Sequence, residues 1–318
     1  MTCLNGNCHK CSGNTFRLRI HHKSIDTHYK SSELTQLTHR KGGTRAMYFT
    51  DYHTHTCFSF DGAPHATIDA MCQAAIERGI SELAITDHMD IFHLQKYSYI
   101  LDCRHLYPEL LAAKDRYKGR LKVVIGAELG QPMANPMEGR RFLANHPELD
   151  FVIGSVHQME NDLDVYYYNF RKHDPVQVYD HYLDLLTEYA AHYDYDVIGH
   201  ITYPLRYMAE AGFAVNIGKF LEKIENLYRI IIRRDRGIEL NLSGFRQSMQ
   251  TTMPTPQLLK LYRECGGRIL TLGTDAHRPE DIGTFLRVGQ DIAYECGFRE
   301  LATFEMRTPS FHKIIEKK

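Results

Sequence analysis

The first chemical signal in the chain is His53-Thr54-His55, directly after the short β-type run Tyr48–Tyr52. In an extended segment, residues two apart point the same way, so both imidazoles can reach one metal ion. Asp61 follows eight positions after His53, in a loop with Gly62 and Pro64. The pattern then recurs. Asp87-His88 follows Leu83-Ala84-Ile85-Thr86, and Glu128 follows Val123-Val124-Ile125-Gly126-Ala127. His157 follows Ile153-Gly154-Ser155-Val156, and His200 follows Val197-Ile198-Gly199. Asp275 and His277 come after Leu272-Gly273-Thr274. One histidine after a strand is ordinarily a hydrogen-bonded loop or core residue. Six apolar runs that each end in His, Asp or Glu point to a multinuclear metal site. Imidazole with carboxylate suits zinc, manganese or iron. Two such ions about 3.5–4 Å apart generate a nucleophile from water at neutral pH and clamp the oxygens of a phosphoryl group.

The elements that must position these groups can be read from periodicity. Helical spacing occurs at Ile68, Met71, Cys72, Ala75 and Ile76, with Gly79 where a helix stops, and again over Tyr99–Tyr117. Leu121–Ala127 reads as a buried strand, Arg140–Asn145 as a short helix, and Phe151–Ile153 as a strand. Met133 and Met137 fall in a loop after Glu128 on this reading. Val176, Tyr179, Leu183 and Leu186 mark a further helix, and Val197-Ile198 a strand. A long amphipathic stripe from Ile217 to Ile231 ends at Gly237. Strands at Ile238–Asn241 and Ile269–Leu272 enclose a helix over Pro256–Cys265, and a last helix covers Ile282–Glu295. About seven β–α repeats favour a parallel sheet covered by helices. No GxGxxG follows the first strand, so an α/β barrel is expected over a dinucleotide-binding sheet. A barrel keeps its chemistry at the carboxyl ends of its strands, where these ligands fall.

Composition limits the alternatives. The 318 residues suffice for one large α/β domain, and the net charge of −1 argues against a broad nucleic-acid surface. No run of about 18 apolar residues suggests a membrane span, and the first residues lack a signal-peptide stretch, so the cytosol is the expected compartment. Residues 1–46 carry eight Lys and Arg against two Asp and Glu, which leaves −7 on the rest. They lack apolar periodicity and read as a disordered extension, with Met47 as a possible true start. Within them Cys8-His9-Lys10-Cys11 lacks the second ligand pair that a structural zinc site needs. Cys57, Cys72, Cys103, Cys265 and Cys296 show no pairing pattern and read as free thiols.

The ordered set His53-Thr54-His55 with Asp61, Thr86-Asp87-His88, Gly126-Ala127-Glu128, Gly154-Ser155-Val156-His157, Gly199-His200 and Gly273-Thr274-Asp275-Ala276-His277 resembles the PHP (polymerase and histidinol phosphatase) superfamily. Within it the resemblance is greatest to the monofunctional histidinol-phosphate phosphatases, and it runs from about Met47 to the C-terminus. It implies a distorted (β/α)7 barrel with three divalent metal ions. By the same resemblance His53, His55, Glu128 and Asp275 bind the first ion. Glu128 bridges to a second held by His157 and His200, and Asp61, His88 and His277 hold the third. Some members of the superfamily have His where this chain has Asp61.

The resemblance also implies phosphate-binding roles for Arg206, in Pro204-Leu205-Arg206-Tyr207, and Arg246, in Asn241-Leu242-Ser243-Gly244-Phe245-Arg246. A guanidinium fork suits phosphate oxygens. Tyr207 is a candidate pocket wall. His65, His93 and His105 fit no ligand role, and Tyr166-Tyr167-Tyr168 reads as core and rim packing. The expected reaction is hydrolysis of L-histidinol phosphate in histidine biosynthesis, with Asp275 as the candidate proton shuttle. The alternatives are a related phosphoesterase acting on another small phosphate ester or a nucleotide, and an accessory domain with a degraded site. The acidic balance after residue 46 disfavours a nucleic-acid strand, and the full set of nine candidate ligands disfavours degradation.

Overall fold

The computed structural model describes residues 48–92, 103–159 and 163–315. Residues 1–46, with their expected disorder and cysteine cluster, lie outside these residues, as do His93 and the start of the helix expected from Tyr99. In chain order the elements begin with β1 (Thr50–Asp51), α1 (Ile68–Glu77), β2 (Glu82–Ile85), β3 (His88–Asp90), α2 (Cys103–Arg116), β4 (Lys122–Gly130) and α3 (Pro136–Asn145). Then come β5 (Phe151–Ser155), α4 (Pro175–His192), β6 (Val197–Ile198), α5 (Tyr203–Glu210), α6 (Leu221–Arg233) and β7 (Gly237–Asn241). The last are α7 (Pro256–Glu264), β8 (Leu270–Gly273), α8 (Leu286–Glu295), β9 (Glu300–Glu305) and β10 (Thr308–Lys313).

The sheet runs β1-β2-β4-β5-β6-β7-β8, with every pairing parallel. It closes on itself where β8 returns to the first strand. The Tyr52 N–H donates to Leu272 O at 2.8 Å, Asp275 N–H donates to His53 O at 2.8 Å, and Thr54 bridges Ala276. β2 and β3 pair with β4 at one constant offset, Glu82 with Lys122 and His88 with Glu128. They are therefore two halves of one stave, broken only at Thr86-Asp87. Seven staves result, and this is the distorted (β/α)7 barrel expected from the sequence.

Side-chain alternation divides each stave between two environments. Val123 and Ile125 face the helical shell and join the main core, whereas Val124 belongs to a separate inner cluster with Tyr52, Ala84, Phe151, Ile153 and Val197. The inner face that carries Val124 low in the barrel carries Glu128 four residues higher. On β5 the face of Phe151 and Ile153 continues to Ser155 and then to His157. The inner barrel is thus apolar at its amino-terminal end and polar at its carboxyl-terminal end.

Several boundaries differ from those read from sequence. Glu128 lies inside β4, which runs on to Gly130. Met133 and Met137 are not in a loop, because a short 3-10 turn (Pro132–Ala134) and α3 follow at once. Asn135 caps α3 by accepting from Glu138 N. Gly237 does not stop the amphipathic helix. Asp235, at φ 53°, turns the chain, and Gly237 opens β7, where a Cβ would lie 2.3 Å from Ile269 Cγ2. The last helix begins at Leu286, after Phe285 at φ 64°.

The β9–β10 hairpin was not expected. It turns through Met306 and Arg307, both at positive φ, without the Asn-Gly or Asp-Gly that usually announces such a turn. It plugs the amino-terminal end of the barrel. Ala302 and Phe304 join the inner cluster, and Tyr52 Oη accepts from Phe304 N at 2.8 Å while donating to Glu82 at 2.6 Å. Arg307 N donates to Asp150 O at 2.9 Å, and its guanidinium pairs with Asp196. Phe304→Ala removes a buried ring from this plug. The expected loss of unfolding free energy is about 3–5 kcal/mol, read by urea denaturation. A loss under about 1 kcal/mol would show that the hairpin is dispensable to the barrel.

Candidate metal centre

Glu128 is fully buried at the carboxyl-terminal end of the barrel, and the eight other residues singled out as ligands form one cluster with it. Its Oε2 lies 3.0 Å from His88 Nδ1, 3.3 Å from His53 Nε2 and 3.6 Å from His55 Nε2. Its Oε1 lies 2.9 Å from His200 Nε2 and 3.1 Å from His157 Nε2. Asp275 Oδ1 sits 3.4 Å from His55 Nε2 and 3.8 Å from His53 Nε2. Nearer the mouth, Asp61 reaches His277 at 3.0 Å and His88 at 3.6 Å.

Four overlapping groups present donor atoms close enough to share an ion. They are His53, His55 and Asp275; His53, Glu128 and His200; His55, His88 and His277; and His88, Asp90 and His157. Nε2 of His53, Nε2 of His55, Nδ1 of His88 and Oε2 of Glu128 are buried without a hydrogen-bond partner among the described residues. Buried polar atoms are nearly always partnered. Here the unpartnered ones lie close together, and borderline divalent cations bound among them would satisfy them. The donor set fits such an ion.

Charge is shared across the cluster: burial opposes the charge of His53, His88 and His157, but the neighbouring carboxylates raise all three well above the usual imidazole range. Burial opposes the charge of Glu128, but His53, His157 and His88 outweigh it and hold the carboxyl well below the usual range. Asp275 shows the same balance, with burial opposed chiefly by His53 and His55. Burial also resists ionisation of Asp61, yet bonds to His277 and His88 keep it a carboxylate. His55 is pushed down to about 3, by burial first and then by the neighbouring charges of His277 and His88. It is therefore a neutral imidazole, the state a metal ligand needs.

Several residues that complete the centre were missed in the sequence. Glu239 on β7 holds His53 Nδ1 at 2.7 Å and accepts from His200 N at 2.9 Å. Asp90 on β3 holds His157 Nδ1 at 2.9 Å. Ser155 donates to Glu128 Oε1 at 2.6 Å, and Ser243 to Asp275 Oδ2 at 3.2 Å. Carboxylates behind imidazoles fix the ring orientation and raise basicity. The readable signal for Glu239 was a lone acid in the apolar strand Gly237–Asn241, the one run with no ligand of its own. For Asp90 it was a second acid two residues after His88. Below them, Asp87 accepts from Thr56 N (2.7 Å), Thr56 Oγ1 (2.8 Å) and Ser59 Oγ (2.6 Å), which ties the loop after His55 to the broken stave. Gly273 must lack a side chain, because a Cβ there would lie 2.2 Å from Glu239 Oε1 and 2.4 Å from His53 Cβ.

The arginines occupy different places. Arg206 is in the first turn of α5 and lines the pocket with Phe60, Asp164 and Tyr203. Its guanidinium lies 4.5 Å from the ring centres of both Tyr203 and Tyr207, bonds Tyr207 Oη, and stands 3.8 Å from Asp275 Oδ2. Arg246 ends a 3-10 turn (Ser243–Arg246) and is not among the residues that line this pocket. It donates to Thr274 O at 2.7 Å, Asp275 O at 3.1 Å and Thr284 Oγ1 at 2.9 Å. It thereby braces Asp275, whose φ of 53° is unusual for a non-glycine residue. His65 is exposed and pairs with Glu280, and His105 is exposed on α2. Tyr166 and Tyr167 are exposed too, Tyr166 edge-on to Tyr207 at 5.4 Å. The five cysteines among the described residues are free. No helix among the described residues is long and apolar enough to cross a membrane.

Comparison with known proteins places these features in a family. The chain is 27% identical over 263 residues to the histidinol-phosphatase of Lactococcus lactis subsp. lactis, across 80% of this chain and 93% of that protein. It is 27% identical over 261 residues to a protein named "Probable histidinol-phosphatase" from Clostridium acetobutylicum, across 81% and 97%. The crystal structure of histidinol phosphate phosphatase from Lactococcus lactis, complexed with zinc, L-histidinol and phosphate, shares the fold at a TM-score of 0.73. Sequence identity to it is 24%, and the match covers 83% of this chain and all of that one. The PHP domain model matches residues 51–243, more than half of the 318 residues. The chain belongs to the PHP domain family.

Proposed function

We propose that this protein hydrolyses L-histidinol phosphate to L-histidinol and inorganic phosphate, with three divalent metal ions, zinc, manganese or iron, in the centre around Glu128. The observation that carries the reading is the convergence of unpartnered buried donors from His53, His55, His88 and Glu128 in one pocket that also presents Arg206. The names of the relatives, and the zinc, L-histidinol and phosphate of the Lactococcus structure, support it. His53, His55, Glu128 and Asp275 would hold the first ion, Glu128, His157 and His200 the second, and Asp61, His88 and His277 the third. When bound, such ions supply a nucleophilic hydroxide at neutral pH and neutralise phosphoryl oxygens.

The chain's own residues orient and finish the chemistry. Arg206 presents to the pocket a guanidinium held against two tyrosine rings, so little conformational freedom is lost when it binds phosphate. Arg246, expected as a second phosphate ligand, acts instead from outside the pocket lining and holds the Thr274–Asp275 backbone in place. Asp275, gripped by Ser243 and Asn241 at the edge of the pocket, is the candidate to carry a proton to the departing alkoxide. The substrate is a small molecule in a pocket, and the acidic balance of residues 47–318 disfavours a nucleic-acid strand. A cytoplasmic location fits a chain with no membrane-spanning helix among its described residues.

Three measurements test this. Removal of metal by chelation should abolish phosphate release from L-histidinol phosphate, and added zinc or manganese should restore it; full activity in protein shown metal-free by elemental analysis would refute the metal centre. Arg206→Ala should lower kcat/KM at least about tenfold, as expected for loss of a charge-assisted bond; unchanged kinetics would remove Arg206 from the phosphate site. Glu239→Gln leaves the shape of the site but weakens the hold on His53. Metal affinity or activity should fall roughly 10- to 100-fold, read by metal content after dialysis, and undiminished metal content together with wild-type kinetics would show that Glu239 is passive.

A further inference from the structure

Four carboxylates line the pocket, and three of them belong to the metal cluster. Asp61, Glu128 and Asp275 each lie within 3.0–3.4 Å of a histidine nitrogen. Asp164 differs. Its hydrogen-bond partners are an amide and a hydroxyl, with Oδ1 accepting from Tyr166 N at 2.7 Å and from Tyr203 Oη at 3.1 Å, and burial pushes its carboxyl above the usual range against the nearby charge of His157. Among the described residues no bond falls on its Oδ2.

Its place is built, not incidental. Asp164 pairs with Gln158 across an antiparallel bridge, and the next residue, Val165, donates to His157 O at 2.9 Å. These contacts hold Asp164 on the pocket wall with Tyr203 and Arg206. Two bonds to one oxygen fix the carboxylate plane.

A carboxylate on the wall of a phosphate pocket is a liability by itself, because it repels the dianion that Arg206 and the centre attract. It becomes an asset if the organic part of the substrate carries a positive charge. A cationic alcohol would neutralise it, whereas a neutral or anionic one would leave it repelling the ester. That is selection by penalty as well as by attraction. The exposed ring of Phe60, which lines the pocket, suits the apolar part of such an amphipathic cation.

We infer that Asp164 is a specificity residue that binds the ammonium group of the substrate's alcohol portion and rejects phosphate esters lacking a cation. This rests on the proposed phosphomonoesterase reading and adds the residue that chooses among esters. The discriminating variant is Asp164→Asn. Asparagine keeps the shape, can still accept from Tyr166 N and Tyr203, and removes only the charge.

The experiment measures phosphate release by metal-loaded wild-type and Asp164→Asn protein on matched pairs. These are L-histidinol phosphate against its deaminated analogue, and 2-aminoethyl phosphate against ethyl phosphate. Wild type should prefer the amine in each pair, and Asp164→Asn should lose roughly 10- to 100-fold of that preference, mainly through KM. The neutral esters should hold steady or improve. An equal loss on amine and neutral esters would overturn the inference and make Asp164 a support for Tyr203 and Arg206. Unchanged preference would overturn it too. Failure of the wild type to hydrolyse L-histidinol phosphate would sink the substrate reading instead, and the 2-aminoethyl and ethyl pair would still decide the role of Asp164.

Discussion

A carboxylate buried to zero exposure near the centre of a protein is the constraint on which the upper half of this barrel depends. Isolated, the charge of Glu128 would be too costly to keep, and the group would neutralise. Five histidines from four separate parts of the chain stand within 3.6 Å of it, and His53, His157 and His88 supply most of the charge that keeps it ionised. Those histidines create the same difficulty in turn, since several imidazoles in close contact cannot all be protonated. His55 is the member driven to neutrality. Glu239 and Asp90 then serve as the outer ring, holding one nitrogen of His53 and of His157 so that the other faces inward. Each layer compensates for the one inside it.

The barrel makes this arrangement possible with few specialised residues. Register, not loop design, places His88 beside Glu128, because the two are direct partners across β3 and β4. Alternation on each stave lets one face serve as apolar packing at the base and as ligand platform at the top. The strands can be as short as Val197–Ile198, because the inner cluster and the helical shell supply the stability that two residues of ladder cannot.

Much of this was legible in the sequence. The ligands that end or follow strands are visible because an apolar run followed by His, Asp or Glu stands out against both neighbours. The seven staves followed from the alternation of period-two and helical segments. What stayed hidden was whatever has no local signature. Glu239 reads as an ordinary strand residue until the fold brings it to His53, 186 positions away. Arg246 reads as a free cation until its guanidinium is seen on the carbonyls of Thr274 and Asp275. The β9–β10 hairpin lacks glycine at its positive-φ turn, so nothing announced it, and Gly237 looked like a helix stop because its reason, the closeness of Ile269, is tertiary.

The hairpin has a consequence for traffic. By filling the base with Phe304 and Ala302 and tying Arg307 to Asp196, it closes the amino-terminal end of the barrel, so the approach to the pocket runs past Phe60 at the other end. On the proposed reading, with the phosphoryl group seated innermost and the alcohol portion toward Phe60, the alcohol would depart first and inorganic phosphate would wait behind it. A retained phosphate would then compete with the next ester for the same pocket, and turnover would be throttled by the accumulation of the smaller product.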